Sequence, residues 1–297
     1  MKKFFASVYK KYIANMSAFD FQHNTGSDQS AAGEGSLPEL KTFKDFDDEA
    51  TLLGNAYRGI GVLVAILSAV IIFSAIAPTA FELHGGLYLA LGITEVVAMA
   101  LVIALVSYAS KAKLRSKWRN RRAEAEKLRY KKFSELLSRA EADPSSENLT
   151  AVVQETLSHL SGENCQITYN RNKANAYHNI ESLSNNIGGV GFGLALLGAV
   201  GHLVLHWNSL LILTVFVPAM VGAIHALNGF LKLSDLSDDH KKVATQLEMH
   251  KKVLEQNLKN RNDFYKLLET SRNIYTTLLA RDEQWLEMVN RQNIQVV

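Results

Sequence analysis

The residues able to do chemistry in this 297-residue chain are few. Glu95 is an acidic residue inside a long apolar run, and His202 and His206 stand four apart at the end of another. A carboxylate is costly in hydrocarbon, so Glu95 should face protein or water and have a partner. At about 1.5 Å per helical residue, Glu95 lies about 12 Å and His202 about 5 Å below the outer ends of their helices, which permits a hydrogen-bonded or ionic contact between them. Two roles stay open for Glu95. It lines a water-filled path that favours cations, or it is a protonated acid buried in a helix bundle. His202 and His206 have no third ligand nearby in sequence, so no metal site is expected. The lone Cys165 excludes an intrachain disulfide and reads as an inert thiol. The run Gly188-Gly189-Val190-Gly191-Phe192-Gly193 does not fit a dinucleotide fingerprint, and no Walker lysine follows it. With no nucleophile–base pair and no cofactor motif, an enzyme is not expected, and no catalytic residue or cofactor is assigned.

Two further groups have the right types and spacing to bind something. Gly189-x-x-x-Gly193 and Ala195-x-x-x-Ala199 give one helix a small-residue face, with Gly198 and Gly201 beside it. Such faces let helices approach closely, within a hairpin or between subunits. A pore lined by glycine backbone is the competing reading. Lys111–Lys132 carries eleven Lys and Arg against two Glu. Its Arg115, Arg119, Arg121, Arg122 and Arg129 are planar donors suited to phosphate, and Trp118 could stack on a base. The plainer alternative is that basic residues just inside a span fix topology and attract anionic lipid, with Trp118 as an anchor or packing residue.

The elements that position these groups are apolar blocks. Residues 187–227 contain no Lys, Arg, Asp or Glu and are broken only by His206-Trp207-Asn208. Their length suits two membrane-crossing helices joined by a tight turn. A second pair lies at Tyr57–Ala77, stopped by Pro78, and at Leu87–Tyr108. The expected fold is all-α, a membrane protein with four transmembrane helices in two hairpins and a helical cytoplasmic domain. The expected divisions are a cytoplasmic N-terminal segment at 1–56, a first hairpin at 57–108, a basic helical segment at 109–186, a second hairpin at 187–227 and an amphipathic C-terminal helix at 228–297. Neither short hairpin connection carries Lys or Arg, so the positive-inside rule places both termini and the central segment in the cytoplasm.

Met1–Phe21 is basic and aromatic without a signal-peptide core. It reads as an amphipathic helix on the inner leaflet or an ordinary N-terminal helix. Residues 22–38 read as a flexible linker. Gly162–Thr168 reads as a loop, and Asp235 to Asn290 as one long helix or a bent pair. Leu247, Leu254, Leu258, Tyr265, Leu268, Tyr275, Leu279 and Leu286 form the expected apolar stripe, widened by Phe264, Leu278 and Trp285 and interrupted by Arg261 and Arg272. The halves are alike in plan, each with polar helices, a hairpin and a long charged helix, but no residue-level repeat stands out.

Lys117-Trp118-Arg119, Ala123-Glu124, Leu128-Arg129 and Phe133 follow the first hairpin directly, and the chain ends with Leu278-Leu279 and Glu283-Gln284-Trp285. This resembles the SLATT-type membrane effectors of bacterial anti-phage systems, and the four-span layout is similar to the four-helix effectors of nucleotide-signalling defence systems. The resemblance covers the hairpins and their trailing helices, not Met1–Asn55, and this chain departs from the two-helix pattern by its second hairpin. It implies a gated pore-forming effector that permeabilises or depolarises the host membrane in abortive infection. It further implies control by a nucleotide or oligonucleotide ligand made by a partner nucleotidyltransferase. One four-helix bundle is too thin for a wide channel, so a homo-oligomer, with a tetramer as the first expectation, would be needed. The rival expectations are a non-conducting membrane scaffold for a soluble partner and a small proton-coupled transporter using Glu95 and His202.

Overall fold

A computed structural model describes residues 42–162, 165–259 and 264–291. The expectations for Met1–Phe21, for residues 22–38 and for Arg261 fall outside them. All elements among the described residues are helical: α1 (Phe43–Ala80), α2 (Gly86–Lys111), α3 (Leu114–Arg129), α4 (Lys131–Ala142), α5 (Ser146–Leu160), α6 (Gln166–Leu205), α7 (Val217–Leu231), α8 (Leu233–Lys259) and α9 (Phe264–Arg291). The stretches Phe43–Ala80, Gly86–Lys111, Gln166–Leu205 and Asn208–Lys259 are each long and apolar enough to cross a membrane.

Local chemistry sets the boundaries. α1 opens with a reciprocal cap. Thr42 N–H donates to Asp45 Oδ2 at 2.7 Å, and Asp45 N–H donates to Thr42 Oγ1 at 3.4 Å. Ser145 caps α5, its Oγ accepting from Asn148 N–H at 3.3 Å. Pro78 does not stop α1; it lies inside the last turn, and the helix ends at Ala80. Proline removes one N–H, but its fixed φ is helical, so a final turn can continue past it. The expected loop Gly162–Thr168 is also shorter than its sequence suggests. Gly162 takes φ +110°, a conformation that favours glycine, and α6 already begins at Gln166. Before α7, a 3₁₀ turn (Asn208–Leu210) leads into a π turn (Ile212–Phe216). Pro218 would crowd the carbonyl of Thr214 in a regular helix, and the wider turn relieves that crowding.

The chain divides into two compact units. The first comprises residues 42–52, 117–177 and 235–290. Its apolar core joins Phe133 and Leu137 of α4, Val152 and Leu160 of α5, Leu247 and Leu254 of α8, and Ile274 and Leu278 of α9. The expected C-terminal helix is a pair. α9 folds back along α8, with Asn257 Nδ2 donating to Thr270 Oγ1 at 3.4 Å. Of the expected stripe, Leu247, Leu254 and Leu268 are buried with Leu278 beside them, and Tyr275 and Leu279 pack against the core, whereas Leu258 and Tyr265 are exposed. Leu267, Ser271, Ile274 and Arg281 complete the buried face of α9.

The second unit comprises Leu53–Ser116 and His178–Ser234, together with residue 291. Its helices carry large exposed apolar side chains, among them Leu87, Ile93, Val97 and Ile103 on α2 and Val190, Leu197 and Leu203 on α6. Surface of this kind suits hydrocarbon rather than water. α6 and α7 lie antiparallel, and glycines mark the contact. A Cβ on Gly191 would stand 2.5 Å from Val221 Cγ2, and one on Gly198 would stand 2.5 Å from Leu213 Cβ. On the other flank of α7, the Tyr57 and Phe230 rings lie 5.7 Å apart and the Phe73 and Phe216 rings 5.3 Å. α7 is therefore held between α1 and α6.

Candidate functional site

In the second unit, the buried stripe of α2 runs through Ala98, Val102 and Ala109, with Leu91, Glu95 and Leu105 half-buried along the same line. Steps of three and four residues put Glu95 on the protein-facing side of its helix. That side is where an intramembrane carboxyl belongs. No hydrogen bond or ion pair joins Glu95 to His202 among the described residues. His202 Nδ1 instead pairs with the Trp207 carbonyl at 2.9 Å, which closes the turn after α6. Asn208 Nδ2 donates to Glu82 Oε1 at 3.0 Å and ties the two turns of this unit together. Near the opposite ends of these helices, Ser184 Oγ donates to Asn228 Oδ1 at 3.3 Å.

The small-residue face divides. Gly188, Gly191, Ala195 and Gly198 are buried at steps of three and four; Gly188 and Gly191 receive side chains of α7, and Gly198 receives Leu213 and Thr214 of the π turn that precedes α7. Gly189 and Gly193 have nothing within 4 Å of an added Cβ, and Ala199 is exposed. The close-contact line is thus rotated one residue from the Gly189–Gly193 pair, with Ala195 the member shared by both. A GxxxG spacing cannot choose between adjacent helix lines when glycines occupy both.

The basic segment is taken apart in the first unit. Arg122 is buried and paired with Asp47 of α1 and Glu126 of its own helix. The buried Arg129 side chain meets Glu126 at 3.1 Å and Asp47 at 3.8 Å, and its guanidinium lies 4.9 Å from the Phe43 ring centroid. On α9, Arg281 contacts Asp282 at 3.2 Å and lies over the Tyr169 ring. Three arginines and three carboxylates, Asp47, Glu126 and Asp282, thus balance in one centre, with Tyr130 and Tyr169 beside it. Trp118 packs edge-on against Trp285 at 5.4 Å, so its ring serves packing. Arg119 Nη1 donates to Asn290 Oδ1 at 2.6 Å, and Arg121 pairs with Glu49 at 2.8 Å. Arg115 is half-exposed near the start of α3. Arg122, Arg129 and Trp118, grouped by sequence with a phosphate-binding face, are therefore internal. The helical wheel puts them on the side that meets α1 and α9, where acidic and aromatic partners await them.

Burial dominates the protonation behaviour of this centre. It pushes the Asp282 carboxyl up to about 7, helped by Glu126 and opposed by Arg281, Arg129 and Arg122. Asp47 is also raised, first by burial, although Arg122 and Arg129 pull it down. His240 is held well below its usual range by burial and by Arg281 and Lys173. Its neutral ring donates from Nδ1 to Asn170 Oδ1 at 2.6 Å. Farther off, the His159 imidazole at 3.5 Å, and then Lys132, hold the Glu155 carboxyl down at about 2. The centre can hold charge in balance across α1, α3 and α9. Among the described residues, no group of three or more His, Cys, Asp or Glu could hold a metal ion.

The signal for this centre was present in sequence. Asp47 precedes the first apolar block, Glu126 falls inside the basic run, and Arg281-Asp282 sits in the C-terminal stripe. Their mutual pairing requires contacts across separations of 75 residues and more, which no local pattern encodes. Comparison of the chain with protein-family models, characterised proteins and solved structures returns no match.

Proposed function

We propose that this chain is a gated, ion-permeable membrane effector of bacterial anti-phage defence. In this reading it inserts in the inner membrane as two hairpins with both termini cytoplasmic, and it assembles as a homo-oligomer. A nucleotide-type ligand acting on the cytoplasmic helices would control it. One observation carries the reading. α6 is a single 40-residue helix whose first half is polar and whose second half is apolar, and α1 is likewise unbroken over 38 residues. A continuous helix transmits rotation or translation along its axis, so a change at its polar end moves its apolar end. The resemblance to nucleotide-signalling effectors supports the choice of signal.

The test is ion flux from liposomes holding the purified full chain, with cyclic nucleotides and short oligonucleotides added in turn. Flux switched on or off by one of them is the expected result. Absence of flux under every condition, from folded and inserted protein, would overturn the pore and favour a scaffold. Saturable, proton-coupled solute uptake would favour a transporter. In a conducting protein, Glu95→Gln should lower cation preference several-fold, and unchanged selectivity would remove Glu95 from the path.

A further inference from the structure

The structure supplies a register that the bare sequence hides. Aligned on their buried positions, residues 53–70 of α1 and 183–200 of α6 are identical at eight places: Leu53/Leu183, Asn55/Asn185, Gly59/Gly189, Gly61/Gly191, Ala65/Ala195, Leu67/Leu197, Ala69/Ala199 and Val70/Val200. Packing follows the same register. Gly54 and Ser184, Gly61 and Gly191, and Ser68 and Gly198 are buried in pairs. Gly61 and Gly191 are both closely approached, Gly61 by Phe230 of the other pair and Gly191 by Val221 of its own hairpin, whereas Gly59 and Gly189 have nothing within 4 Å of an added Cβ. The inbound helices agree independently. α2 and α7 each lead into a lysine in the left-handed conformation, Lys113 at φ +52° and Lys232 at φ +56°. Each lysine is followed by a buried leucine, Leu114 or Leu233. Left-handed residues are common just after a helix, and here a lysine takes that place in both pairs. The likeness in plan of the two halves thus gains a register that does not stand out in the sequence alone.

We infer that the two helix pairs are copies of one unit, and that the contact α1 makes with α7 inside the chain recurs between chains as α6 against α2 of a second copy. The inference refines the oligomer in the reading above by naming its interface. Inside the chain, the outbound helix of the first pair meets the inbound helix of the second through Tyr57–Phe230 and Phe73–Phe216. The same step taken once more starts from α6, the outbound helix of the second pair, and has no inbound partner left in the chain. Position 73 corresponds to Leu203, and position 216, counted from the left-handed lysine, corresponds to Val97. Leu203 is 77% exposed and Val97 51%, so neither is covered within the chain, and Tyr57, Ile60 and Val64 are buried on α1 where their counterparts Ile187, Val190 and Leu194 are not. The α6–α2 contact joins different surfaces on the two copies, so it is head-to-tail and closes as a ring when the rotation permits.

Cysteine cross-linking tests this without requiring conduction, so a protein that passes no ions still reports on the interface. Full-length chains carrying Val97→Cys and Leu203→Cys together are oxidised in membrane vesicles. The expected result is a ladder of dimers and higher species. Co-producing the two single variants should give dimers but no ladder, and neither single variant should cross-link alone. Ser184→Cys with Asn228→Cys, native partners at 3.3 Å, is the intrachain control for insertion and oxidation. Monomers only from the 97/203 pair beside a closed control would leave those faces to lipid and overturn the inference. Dimers from Leu203→Cys alone, matching those of the pair, would also overturn it, because they indicate a symmetric α6–α6 contact.

Discussion

The two units of this protein solve the same problem, joining long helices side by side, with opposite materials. The unit built from residues 42–52, 117–177 and 235–290 binds its helices through an apolar core and a closed centre of three arginines and three carboxylates. The unit built from Leu53–Ser116 and His178–Ser234 joins α6 to α7 through glycine recesses that receive Val221 and Leu213, with hydrogen bonds such as Ser184–Asn228. Where water competes for the surface, burying apolar area drives association, and charges can be buried once paired. Where hydrocarbon is the solvent, apolar burial gains little, so close backbone approach and dispersion decide the contact.

That contrast can be broken at defined points. The largest effect is expected from Arg122→Ala. It strands Asp47 and Glu126 in a buried site with one cation fewer, and should destabilise the first unit by about 3–5 kcal/mol. Chemical denaturation of the full chain in detergent measures it, and a loss under about 1 kcal/mol would mean the centre is solvated. Next comes Gly191→Leu, which drives a side chain into Val221 and should cost about 1–3 kcal/mol or more, read as loss of protease resistance between α6 and α7. Gly189→Leu on the open face should cost almost nothing, and equal damage from both would refute the close-contact line drawn here.

Asp282 sharpens the comparison through pH. Its folded-state affinity for a proton exceeds that of an ordinary aspartate, so its contribution to stability is full below about pH 4 and is lost as pH rises through about 7. Glu126, Arg281, Arg129 and Arg122 face it, with Tyr130 nearby. Asp282→Asn should flatten the fall in melting temperature between pH 5 and 8 and raise the value at pH 8 by a few degrees. A parallel curve would show that Asp282 is ionised throughout. The smaller of the two pH effects is expected from Glu155→Gln. Glu155 titrates below its usual range, so its stabilisation is present above about pH 4.5 and is lost as pH falls toward about 2. The variant should lose no more than about 1 kcal/mol at pH 7 and nothing at pH 2, by thermal melts at both.

Much of the layout was legible in the residues. Runs free of charge, their lengths and the Lys and Arg that end them mark four apolar stretches, because a helix long enough to cross a bilayer leaves an unmistakable compositional trace. A serine cap at Ser145 or Ser146 opening α5, of which Ser145 is the one formed, and the placement of Glu95 on the inner face of α2 follow from local chemistry and helical spacing. What spacing could not supply is phase between helices. Gly189 and Gly191 are equally small, and only the approach of Val221 distinguishes them. Arg119 and Arg122 are equally basic, and only the positions of Asp47 and Asn290 send one inward and leave the other at the rim. Leu258 and Tyr265, at the ends of α8 and α9 nearest each other in the chain, are the stripe members left exposed, while Leu254 and Leu268 of the same stripe are buried. The sequence by itself determined which segments are helical, which are apolar and which side of α2 carries its carboxyl, since these depend on neighbours a few residues away. The tertiary structure alone decided which arginines are bound internally, which glycines are filled and where the repeat falls in register. Each of those depends on contacts between segments far apart in the chain, and a helix carries no mark of which neighbour will meet each face.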